Sequence, residues 1–83
     1  MSAIREAILQ RLQGRVFGYL KMQPSFKGLK SSDLWRISTE LVENNDKAIN
    51  SFLNERNFSL GETDKAIDSV LEEILVPEIE KLQ

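Results

Sequence analysis

The stretch from Thr63 to Leu82 constrains this chain more than any other. Ala66, Ile67, Val70, Leu71 and Ile74 recur at spacings of one, three, one and three. At 3.6 residues per turn these five side chains share one face of a helix. Lys65, Asp68 and Glu72 fall on the opposite face, where water solvates them. A stripe of this kind has to be covered, so the rest of the chain must supply partners for it.

Both ends of this helix are marked. Ser59-Leu60-Gly61-Glu62 reads as a capping box, in which the Ser59 hydroxyl and the Glu62 carboxylate each satisfy a free backbone N–H. Thr63 is a second cap candidate, so the start is defined to within one turn. Pro77 lacks the N–H that would bond the Glu73 carbonyl, and its ring crowds that carbonyl. The apolar stripe changes azimuth at the same place, from Ile74 to Leu75, Ile79 and Leu82. A kink or short break is expected near Val76, with Pro77 opening a final helical piece.

The partners come from upstream. Ser2, as N-cap, to about Met22 reads as a first helix, with Ile4, Ile8, Leu12, Val16, Tyr19 and Leu20 on one stripe. Arg11 and Arg15 border that stripe and can cover it with their aliphatic stems. Gly14 and Gly18 share another face, which Ala3 and Ala7 continue. A glycine inside a helix costs about 1 kcal/mol against alanine. The simplest expectation is that one of them ends or bends the helix, with Val16 to Tyr19 extended. The alternatives are close packing within the chain or against a second copy.

Residues 23–32 form a connection, with Pro24 and Gly28 as its breakers. Phe26 and Leu29 either plug the end of the core or stand out as an anchor flanked by Lys27 and Lys30. Ser31 or Ser32 then caps a second helix, Asp33 to about Glu43, whose inner face is Leu34, Ile37, Leu41 and Val42. Trp35 fills an edge of the core or anchors an interface. Asn44-Asn45-Asp46 is a break suited to a left-handed cap. A third helix, Asp46 to about Arg56, has Ala48, Ile49, Phe52 and Leu53 as its apolar side, and its asparagines make it dependent on packing.

The fold expected is all-α: a small four-helix, bundle-like single domain over residues 1–83, with long first and last helices and two short middle ones. Eighty-three residues bury only about 60–65% of their unfolded surface. The core is therefore marginal, and a chain without cysteine has no disulfide to reinforce it. Borrowing surface from a second chain is one remedy, which points to a homodimer. The absence of cysteine suits a reducing cytoplasm. No apolar run is long enough for a membrane span or a signal-peptide core.

The residues also limit the chemistry. With neither histidine nor cysteine there is no Ser-His-Asp or Cys-His nucleophile and no imidazole or thiolate metal site. Phosphate-cradling and calcium-loop motifs are missing, and Glu72, Glu73, Glu78 and Glu80 read as a solvated helix surface. The expectation is a non-enzymatic module without cofactor or metal. Its partner-binding residues would be Ala7, Gly14, Gly18, Phe26, Leu29 and Trp35.

Charge is unevenly spread. Residues 1–36 hold seven Lys/Arg against two acids, a net +5, and residues 37–83 hold four against eleven, a net −7. One reading places the first and last helices side by side with opposite charges flanking the seam. The other makes Arg11, Arg15, Lys21, Lys27 and Lys30 a contact for an anionic partner, as in a small nucleic-acid-binding regulator. A helix-turn-helix formed by the second and third helices fits poorly, because the would-be recognition helix has no net charge to meet phosphates.

Overall fold

The computed structural model describes residues 3–83, with side chains from residue 5 onward. Ser2 as a cap, and the side chains of Ala3 and Ile4, lie outside that description. All regular structure among the described residues is helical: α1 (Ala3–Lys21), α2 (Ser31–Asn44), α3 (Asp46–Arg56), α4 (Thr63–Val70) and α5 (Val76–Leu82). A π-helical segment, Leu71–Leu75, joins α4 to α5. The run over 63–82 is thus one long C-terminal helix. Single 3-10 turns, Pro24–Phe26 and Leu60–Glu62, sit in the connections.

Ile8, Leu12, Val16 and Leu20, four residues apart along α1, are fully buried. They meet Leu34 and Leu41 of α2, Ile49 of α3, and Ala66, Ile67, Val70, Leu71, Leu75 and Ile79 of the C-terminal helix in one cluster. α1 is therefore the central element, packed on α2 along one side and on α4 along the other. Gln13 meets Thr39 and Phe17 meets Trp35, so α1 and α2 run in opposite directions. Arg11 meets Asp64 and Arg15 meets Asp68, so α1 and α4 run in the same direction. Ser38, also fully buried, donates its hydroxyl to the Leu34 carbonyl at 2.8 Å, which removes the cost of placing a hydroxyl in the core.

Several local expectations need correction. α1 runs unbroken through Gly14 and Gly18, so neither glycine ends it, and Val16 to Tyr19 is helical. Long uninterrupted burial along its other face outweighs the propensity loss of two glycines. α2 starts at Ser31 with Lys30 at the cap position, so neither serine caps it. The left-handed residue is Asn57 (φ 52°), whose N–H reaches the Leu53 carbonyl at the end of α3. Asn45 instead bends the chain between α2 and α3 and donates its amide to the Leu41 carbonyl at 2.8 Å. Ala48 is exposed and Leu82 is more than half exposed, so neither belongs to the core.

The α-helix is interrupted just ahead of Val76, as expected: Leu71–Leu75 is π-helical, and α5 opens at Val76 with Pro77 in its first turn. The wider π turn lets the Val76 N–H reach back five residues to the Leu71 carbonyl. This loosened spacing ahead of Pro77 relieves the ring–carbonyl crowding that a proline creates inside a regular helix. It also re-phases the stripe. Leu71, Leu75 and Ile79 are all buried at steps of four, which in a regular helix drift by about 40° each. The capping box between Ser59 and Glu62 forms as expected, with the Ser59 N–H donating to Glu62 Oε1 at 3.0 Å. Thr63 then opens α4 and returns its hydroxyl to the Leu60 carbonyl at 2.7 Å.

Candidate interaction surface

α2 and α5 both flank the core but do not close on one another, and an apolar groove of about 360 Å³ lies between them. Phe26 forms its floor, Ile37 and Leu41 one wall and Leu82 the other, with Glu40 and Asn44 at the rim. Phe26 closes the 3-10 turn Pro24–Phe26, which the proline opens, and is the buried residue of that turn. Phe26 is 8% exposed, so it is not the protruding anchor that its place in a polar loop also allowed. Leu29, three residues on, is 41% exposed and does stand out.

Apolar side chains gather at this end of the molecule. Of the five large exposed hydrophobics among the described residues, Met22, Leu29 and Leu82 belong to segments that meet here. The Gln83 side-chain amide donates to Gln23 Oε1 at 3.4 Å, which ties the tail of α5 to the start of the α1–α2 connection. Trp35 and Leu60 lie elsewhere.

The charged residues sort into two sets. Arg11 pairs with Asp64 at 2.5 Å, Arg15 with Asp68, and Arg5 with Asp46 at 3.6 Å. The arginines of α1 thus neutralise acids of α3 and α4 across the helix seams. Lys21 places its ammonium 5.6 Å from the Phe17 ring centre. Lys27 and Lys30 form no ion pair among the described residues, and neither do Glu40, Glu43, Glu72 and Glu80. These four acids belong to the two helical runs that wall the groove, and the two lysines flank Leu29.

The remaining expected contact residues lie apart from the groove. Ala7, Gly14 and Gly18 share the outward face of α1, and a methyl group built on either glycine meets nothing within 4 Å. Close packing within the chain is therefore not why glycine stands there. Trp35 is 48% exposed and touches Phe17 edge-on, with ring centres 5.5 Å apart. The two aromatics border the glycine face without covering it.

Of the groove-lining residues, Ile37, Glu40, Asn44 and Leu82 carry no signal of a site in the sequence. Their spacing on α2 shows only that they share a face, and nothing in the residues places Leu82 opposite. The titration behaviour belongs to helix ends. The Ser59 backbone N–H and then its hydroxyl hold Glu62 below the usual carboxylate range, and Glu78 holds Lys81 above the usual lysine value. Among the described residues, no group of three or more carboxylates converges to hold a metal ion, and no helix is long and apolar enough to cross a membrane.

No protein-family model, no curated protein and no solved structure matches this chain.

Proposed function

We propose that this chain is a non-enzymatic protein–protein interaction module of the cytoplasm, a bundle-like adaptor, regulator or assembly factor that works as a homodimer. The observation that carries this reading is the open apolar groove lined by Phe26, Ile37, Leu41 and Leu82, with exposed Met22 and Leu29 in segments joined to it through the Gln83–Gln23 and Leu29–Phe26 hydrogen bonds. Exposed apolar side chains gathered beside an open apolar groove favour association, whereas isolated ones need no explanation. The face of α1 carrying Ala7, Gly14 and Gly18, bordered by Trp35, is the rival surface for the same self-contact.

A nucleic-acid-binding regulator has less support. Arg11 and Arg15 are already matched to Asp64 and Asp68, and only Lys21, Lys27 and Lys30 of that set form no ion pair among the described residues.

Sedimentation equilibrium over a wide concentration range tests the proposal. A mass that rises from one chain toward two supports it. A single-chain mass throughout, with binding of short DNA or RNA that falls steeply as salt increases, contradicts it.

A further inference from the structure

Resting on that reading, we infer that two copies of this chain meet end to end by a reciprocal exchange. The Lys27-Gly28-Leu29-Lys30 segment of each copy seats in the groove between α2 and α5 of the other. Three features of one patch match the two halves of this contact. Leu29 is an exposed apolar knob, and the groove is an apolar hole of about 360 Å³ next to it. The knob is flanked by Lys27 and Lys30, which have no ion-pair partner among the described residues; the hole is rimmed by Glu40, with Glu43 one turn further along α2, and among the described residues these have none either. Knob and hole are also contiguous, since the Leu29 N–H bonds the carbonyl of Phe26, the groove floor, at 3.1 Å. Knob and hole of opposite charge on one patch meet their complements when a second copy is turned by a two-fold axis, which is what an isologous contact requires.

The area available sets the strength. A stable interface takes about 800 Å² from each partner, roughly a seventh of the 5342 Å² of accessible surface here. An end-on contact covers less, so the dimer dissociates readily on dilution, at micromolar concentration or above.

The test uses the whole chain and two charge-reversed variants, Lys27→Glu with Lys30→Glu, and Glu40→Lys with Glu43→Lys. All four positions are solvent-exposed and free of ion pairs among the described residues, and circular dichroism checks that each variant folds. In sedimentation equilibrium each variant alone self-associates about tenfold or more weakly than the parent, because like charges now face each other. An equimolar mixture recovers a dimer close to the parent in strength, since both reciprocal contacts are again of opposite sign. Leu29→Asp weakens the parent dimer by about tenfold or more, by removing the apolar knob. A dimer that survives all three changes overturns this geometry while leaving self-association standing. A parent chain that stays monomeric overturns both. A mixture no stronger than its components overturns the exchange even where single variants weaken.

Discussion

Arg15 on α1 and Asp68 on α4 are paired one helical turn beyond Arg11 and Asp64, so two successive ion pairs bridge two helices running in the same direction. Parallel neighbours align their helix dipoles unfavourably, and opposite charges along the seam offset that. The four side chains remain 44–71% exposed, so the pairs define alignment more than stability. A double-mutant cycle on Arg15→Gln and Asp68→Asn, followed by chemical denaturation, is expected to give a coupling of about 0.2–1 kcal/mol that shrinks with added salt. A coupling of several kcal/mol would contradict the exposed geometry.

Gly14 stands in a helix interior with open space where a methyl group would go. Gly14→Ala is therefore expected to stabilise the monomer by about 1 kcal/mol. It should leave self-association unchanged if the groove end is the contact. Thermal unfolding and sedimentation on the same variant read both effects.

The π segment lies directly ahead of Pro77, in the turn whose carbonyl the proline ring would crowd in a regular helix. Deleting Glu72, which is exposed and forms no ion pair among the described residues, shortens the step from Leu71 to Leu75 to three and lets a regular helix keep the same buried face. Pro77 would still clash in that helix, at a cost of about 3 kcal/mol. The deletion alone should thus be clearly destabilising, and Pro77→Ala should recover most of the loss. Denaturant titration of the two variants checks the order.

Core and rim should separate cleanly. Leu75 is fully buried and Leu82 is 56% exposed. Leu75→Ala is expected to cost about 2–5 kcal/mol of unfolding free energy. Leu82→Ser should change it by about 0.5 kcal/mol or less while weakening self-association. Comparable losses of stability from both would place Leu82 in the core instead.

Glu62 carries a pH signature. Its carboxylate accepts from Ser59 in the folded chain, which lowers its pKa from the ordinary value of 4.5. The stabilisation is present above that ordinary value and is lost as pH falls through the lowered one. Glu62→Gln should therefore be less stable than the parent at neutral pH. The difference should close as acid protonates Glu62, as parallel thermal melts would show.

Much of the fold was legible because burial at helical spacing is a strong signal. The C-terminal end of α1, the boundaries of α3, the buried faces of α1 and α4 and the capping box at Ser59 all follow from residue spacing and capping residues. Where spacing is silent, tertiary packing decides. Gly14 and Gly18 looked like a break because propensity is local, whereas the helix is held by Ile8, Leu12, Val16 and Leu20 on its other side. Pro77 marks the interruption correctly, and its form is a widened π turn at Leu71–Leu75 rather than a loop. Of the expected contact residues, Leu29 and Trp35 are exposed and Phe26 is not. The groove joins α2 to a leucine forty residues away, a juxtaposition that only tertiary packing creates.

The most direct measurement is a dilution series of two-dimensional amide spectra on the isotope-labelled chain. Self-association through the groove end predicts concentration-dependent shifts confined to residues 22–30, 37–44 and 82–83, with the amides of Gly14 and Gly18 unmoved. Spectra unchanged with concentration, or shifts centred on Gly14 and Gly18, would contradict the account.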